Sequence, residues 1–234
     1  MNGKRRHDKD QLRFYVYISD AKVEMLMAQI PPRALKRIGA ELSINLKVLS
    51  VKFTERESLD SRYSRAAAVT QYLTAQGLVS EVNDSSMYFA VERAPMRWAH
   101  VGNPGLVFFA GEIEGSVVFL TGSPHHVIGA APRAVIDPRP PASHTILPLD
   151  AYWDVFDDWN EPAEIGGSRP ADLAGSFHKG LFRESPHTPA TESLSFLARR
   201  MLRHEDSTRQ RTIVLGSPVW VAVNDPAPVQ GSPE

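Results

Sequence analysis

The sequence predicts an α+β fold: a single domain whose mixed sheet comes from an N-terminal βααβα unit and a central antiparallel meander, with C-terminal helices packed on it. Three observations predict it. Over the first third of the chain the apolar residues switch between period-2 and helical spacing. The middle carries β-rich runs separated by turn residues. Residues 189–204 carry apolar residues at helical spacing, with arginines between them. A length of 234 residues suits one large domain with a sizeable core. Hydrophobic residues at 42% and charged residues at 23% are ordinary globular composition.

Residues 1–11 are too polar to pack and read as a flexible tail ahead of a domain spanning 12–225. Leu12 to Ile18 is aromatic and β-branched and reads as a strand. Ser19 and Asp20 form a polar start to a helix that places Val23, Leu26, Met27 and Ile30 on one side. Pro31 and Pro32 end it, because the residue before a proline is pushed out of the α region. A second helix follows from the prolines through Arg33 to Glu41. Ile44 to Phe53 alternates and reads as a strand. Ser58 to Gln76 is amphipathic, with Leu59, Tyr63, Ala66, Val69, Tyr72 and Leu73 on one face, and Gly77 stands where a left-handed C-terminal residue belongs.

Met87 to Glu92 and Met96 to Val101 are strand-like, with Pro95 marking an edge or a bulge. Leu106 to Ile113 and Ser116 to Thr121 follow, joined by Glu114-Gly115 as a tight hairpin turn. Residues 131–148 form a proline-rich connector. Helices are expected at Asp150 to Trp159, Pro170 to Phe182 and Pro189 to His204. In the last, Leu194, Leu197, Ala198, Met201 and Leu202 face inward and Arg199, Arg200 and Arg203 outward. Thr212 to Val223 is the closing strand, and 226–234 is a second flexible tail. One short echo stands out: VVFLTGSP at 117 and TIVLGSP at 212 both run from an apolar strand into Gly-Ser-Pro, a tripeptide that ends or bends strands.

The composition excludes several classes. No cysteine is present, which removes disulfides, thiolate metal sites and a Cys nucleophile. A net charge of -1 shows no global cationic excess for counterion release, so nucleic acid is not an expected partner. No apolar stretch is long enough to span a bilayer, and the N-terminus lacks the apolar core of a signal peptide. The cytoplasm is therefore the expected location. Lysines are confined to Lys4, Lys9, Lys22, Lys36, Lys47, Lys52 and Lys179 out of 26 basic residues, an arginine bias that points to a GC-rich genome.

Chemistry concentrates at two junctions. The first is Gly122-Ser123-Pro124-His125-His126, with Glu112 on the preceding strand and His144 further on. If Gly122 and Ser123 open a helix, its free N–H groups hold an anion. One of the two adjacent histidines, which point in different directions, then lies beside it, and Glu112 orients that histidine or acts as a base. Glu112, His125 and His126 are the catalytic candidates; Gly122 and Ser123 are ligand-binding candidates. Spacing for two metal ligands on one helical face is missing, so no metal site is assigned. The second junction is Ser19-Asp20-Ala21-Lys22, where Asp20 and Lys22 are ligand-binding candidates at a strand-to-helix boundary. Capping and the helix dipole alone account for Ser19 and Asp20. No glycine-rich phosphate loop, nucleophile elbow or kinase signature occurs, and no cofactor is indicated.

The run FYVYISDAKVEMLMAQIPP resembles the start of a family of actinobacterial proteins known only as a domain of unknown function, and LGSPVWVAV resembles its closing strand. The resemblance implies no activity and no catalytic residues. The leading functional expectation is a non-enzymatic module that binds a small molecule or a partner protein in a regulatory role. The alternative is an enzyme acting on a phosphate- or carboxylate-bearing molecule. That reading requires Glu112 and one of His125 and His126 to converge, preferably with Asp20 or Lys22.

Overall fold

The computed structural model describes residues 13–47, 61–101, 106–129, 190–206 and 211–224. Its helices are α1 (Asp20–Met27), α2 (Pro32–Lys47) and α3 (Arg62–Ala75). Its strands are β1 (Arg13–Ile18), β2 (Val79–Ser80), β3 (Tyr88–Val101), β4 (Leu106–Ile113), β5 (Ser116–Gly122), β6 (Glu192–Asp206) and β7 (Arg211–Asn224).

The strands close on themselves. Antiparallel pairs join β3 to β4 and β4 to β5, β5 runs parallel to β7, β7 pairs antiparallel with β6, and β6 returns to β3. The result is a five-stranded barrel, and closure removes the unpaired edges that an open sheet would leave. Met96 pairs with Gly111 on one side and Glu192 on the other, so it marks the point on β3 where both neighbours meet. The short β2 extends the sheet beside Tyr88 and Phe89, and β1 extends it beside the second half of β7.

Two apolar layers follow from this wall. The inner one fills the barrel with Tyr17, Phe89, Met96, Phe109, Leu120, Leu194, Phe196 and their neighbours. Gly111 and Gly216 make room for it: a Cβ at Gly216 would stand 2.8 Å from Leu120 and 2.9 Å from Phe89. The outer layer lies under the helices, where Val23, Leu26, Ala66, Val69 and Leu73 cover Ile18, Leu197, Val219 and Trp220. A hydrogen bond from Trp220 Nε1 to Thr70 Oγ1 (2.8 Å) ties α3 to β7.

This architecture overturns the α+β expectation, and the largest error is the C-terminal helix. Pro189 to His204 is expected as a helix, yet Glu192–Asp206 is a strand in the barrel wall. From Leu194 to Ala198 both faces are buried: Leu194, Phe196 and Ala198 point into the barrel, and Leu197 lies under the helices. That removes the period-2 alternation, and the run Leu-Ala-Arg-Arg-Met-Leu-Arg has good helix propensity, which tertiary pairing overrides. The arginines are therefore not one solvated face. Arg200 lies over the Phe89 ring (4.7 Å) and donates to the carbonyls of Ser86, Val82 and Glu81. The second error concerns the strand expected over Ile44 to Phe53: residues up to Lys47 complete α2. The remainder of that stretch, the connector at 131–148, the helices expected at 150–159 and 170–182, and both tails lie outside the described residues.

The hairpin is as the turn chemistry predicts. Glu114 (φ 50°) and Gly115 (φ 76°) both have left-handed backbone, the signature of a two-residue type I′ turn. Met87 to Val101, expected as two strands, is one strand from Tyr88, with a register shift between Val91 and Ala94 just before Pro95.

Candidate functional site

The site arises from how β7 is shared. β6 pairs along one edge of β7 from Arg211 to Val223, so β5 and β1 occupy the other edge in succession. β5 pairs as far as Gly216, and β1, running the opposite way, starts its pairing at Trp220. The two strand ends therefore point at each other across Ser217, Pro218 and Val219. Here the two Gly-Ser-Pro segments come side by side, with Ser217 Oγ donating to the Thr121 carbonyl at 3.3 Å. The first segment ends β5. The second coincides with a bulge, where the β6 register slips between Leu197 and Ala198.

The bulge presents two consecutive carbonyls to the start of α1. Val219 O accepts the backbone N–H of Ser19 at 2.8 Å. Pro218 O accepts Lys22 Nζ at 3.0 Å. The first intrahelical bond runs from Val23 N to Ser19 O (2.9 Å), so the N–H groups of Asp20, Ala21 and Lys22 precede the helical ladder. A serine at this position ordinarily caps such groups. Ser19 does not: its side chain makes no cap bond, and Oγ is fully buried without a partner.

A second orphan hydroxyl lies next to it. A bulge in β1 between Tyr15 and Tyr17 lets the adjacent Val16 and Tyr17 both enter the inner core. The Tyr17 hydroxyl is buried and unpartnered. Burial raises its pKa; the Ser19 hydroxyl and the Ser123 backbone amide face it and oppose that rise without closing a hydrogen bond. Gly122 is required by the same ring, since a Cβ there would stand 2.6 Å from Tyr17 Cζ. After Gly122 the chain makes a single 3₁₀ turn, Pro124–His126, in which Ser123 Oγ accepts the His125 N–H (3.4 Å). It then crosses β1, where Ile128 N donates to Val16 O (2.9 Å).

His126 turns inward, its ring edge-on to Tyr17 at 5.8 Å, while His125 is exposed. Burial lowers the His126 pKa to about 4; Asp20 opposes the shift, and the positive charges of Lys22, Arg62 and His125 add to it. The imidazole is therefore neutral at physiological pH. Lys22 is 3% exposed, and burial, helped by the Arg199 guanidinium, lowers its pKa to about 8. Asp20 is held by a two-pronged ion pair with Arg62 at the start of α3, with Nε to Oδ1 at 3.2 Å. Asp20, Lys22 and Arg62 all act on His126, Arg199 acts on Lys22, and Asp20 is the charged side chain that acts on Tyr17.

Of the residues singled out from sequence, Asp20, Lys22, Gly122, Ser123 and His126 meet at this junction. Glu112 does not. It pairs with Val117 beside the hairpin turn, and Gly122 pairs with Val107, so roughly 17 Å of strand separates Glu112 from the His-His turn. His144 lies outside the described residues. Sequence reasoning missed Tyr17, Arg62, Arg199 and the Ser217-Pro218 segment. The repeated Gly-Ser-Pro is the one signal that pointed to the last.

A family model described as a family of unknown function, DUF7019, matches residues 13–225. The chain belongs to that family. The match runs from β1 through β7, so both walls of the junction fall inside it. No curated protein and no solved structure matches the chain. Among the described residues, no group of three or more His, Asp or Glu side chains is placed to hold a metal ion. Among them, too, no helix is long and apolar enough to cross a membrane.

Proposed function

We propose that the protein is a ligand-binding module that holds the anionic end of a small molecule where β1 and β5 meet on β7. The observation that carries this reading is the pair of fully buried, unpartnered hydroxyls of Tyr17 and Ser19. Buried polar groups are almost always bonded, and each orphan costs about 1–3 kcal/mol, a loss that a bound carboxylate or phosphate oxygen would recover. Three further features support an anion. The first-turn N–H groups of α1 and its dipole favour negative charge there. Beside His126 the Lys22 and Arg62 side chains together carry more positive charge than the Asp20 carboxylate cancels. The neutral His126 offers a hydrogen bond without a further charge.

In this reading occupancy is the output and the role is regulatory; Glu112, at the far end of the hairpin, takes no part. Thermal denaturation with acetate, propionate and inorganic phosphate tests it. The expected result is saturable stabilisation of the wild type by at least one of these anions, lost in Ser19→Ala. No stabilisation by any of them would sink the proposal.

A further inference from the structure

We infer that the ligand is a 2-oxo acid, whose carboxylate sits against the Ser19 hydroxyl and the first turn of α1 and whose ketone carbon Lys22 captures as a reversible imine. This rests on the anion reading above and names the ligand class for the same site. The spacing is the reason. Ser19 N and Lys22 Nζ bond to the adjacent carbonyls of Val219 and Pro218, at 2.8 and 3.0 Å, so the amine lies next to the helix start. Residues three apart share a helical face, which puts the Lys22 stem on the same buried side as Ser19. In a 2-oxo acid the carboxylate and the electrophilic carbon are directly bonded, which suits so short a span. A phosphate monoester has no such electrophile and would leave the amine unused.

The chemistry balances with groups already there. The Lys22 ammonium releases the Pro218 carbonyl and its proton, and the amine lone pair forms a C–N bond to the ketone carbon. The ketone oxygen takes the proton, collects a second from nitrogen, and leaves as water. An ammonium and a ketone thus give a protonated imine plus one water, the neutral imine following on loss of that last proton to solvent, with no oxidant or reductant involved. The Tyr17 hydroxyl, kept protonated by burial, donates to the oxygen as charge develops on it. A lysine made partly neutral by desolvation is the form that such capture requires. Enclosure of the side chain slows hydrolysis of the imine.

The test incubates the full chain with pyruvate and sodium cyanoborohydride, then maps lysine adducts by peptide mass spectrometry, with thermal shifts for pyruvate and propionate measured in parallel. The expected result is a carboxyethyl adduct concentrated on Lys22, suppressed by excess propionate, reduced in Ser19→Ala and lost in Lys22→Arg. Mapping on the wild type keeps the test valid if Lys22→Arg does not fold. Adduct spread evenly over the surface lysines, or one at Lys22 that propionate does not suppress, overturns the inference. Stabilisation by both acids with no adduct overturns the imine and leaves the anion site standing. No stabilisation by either acid and no adduct removes both.

Discussion

The ammonium of Lys22 is bonded to the carbonyl of Pro218 at 3.0 Å, a contact spanning 196 residues of sequence. It fastens the first turn of α1 to the bulge of β7, at the point where two strand ends meet.

Lys22 makes stability depend on pH in a defined window. Its pKa is about 8 in the folded protein against 10.5 unfolded, so between these values the unfolded chain binds more protons. Stability therefore rises with pH through this range and is penalised below it. From pH 7 to pH 9.5 the rise is about 2 kcal/mol for this group alone. Urea denaturation at the two pH values should show this increment in the wild type and not in Lys22→Met.

His126 acts at the acid end. Its pKa falls from 6.5 to about 4 on folding, so as pH drops the unfolded chain takes up its proton first. Stability contributed by the neutral imidazole is complete above pH 6.5 and is lost as pH falls towards 4. The denaturation midpoint should drop between pH 7 and pH 5, and the drop should be smaller in His126→Gln. Equal drops in both proteins would mean the imidazole titrates normally.

Tyr17→Phe separates ligand binding from folding. It removes a buried hydroxyl that bonds to nothing in the protein, so stability should hold or rise by about 1 kcal/mol. The stabilisation by propionate or phosphate should weaken in the same variant. A loss of folding stability instead would show that the hydroxyl is already satisfied.

Gly122→Ala drives a Cβ into the Tyr17 ring, with Cζ at 2.6 Å. Such overpacking costs about 1–3 kcal/mol. Because the hydroxyl is part of the clash, Tyr17→Phe should recover some of that loss, and a double-mutant cycle measures the coupling.

Much of the fold is written where one local rule decides. β1, β4, β5 and β7 are dense in β-branched and aromatic residues, and Glu114-Gly115 names its own turn. α3 shows a clean apolar stripe. β6 fails because it is buried on both faces from Leu194 to Ala198, so Leu197 breaks the alternation that Leu194, Phe196 and Ala198 would otherwise show. The end of α2 fails because four alternating residues fit either period. At the site, Ser19-Asp20-Ala21-Lys22 and Gly122 to His126 are each visible as junctions. Their meeting depends on the parallel pairing of β5 with β7, a long-range event with no local trace beyond the paired Gly-Ser-Pro. The position of Glu112 along its strand is legible: counting back from the two-residue turn sets it opposite Val117, at the far end of the hairpin from Gly122.

The central claim is that one anion engages both junctions together. A titration of ¹⁵N-labelled protein with propionate, followed by backbone amide shifts, tests it most directly. The account predicts that the amides of Asp20, Ala21 and Lys22 and those of Ser123 and His126 move along a single saturating curve, and that Ser19→Ala weakens it. Shifts confined to exposed arginine-bearing segments, or unsaturated drift with no response at Asp20 to Lys22, would contradict it.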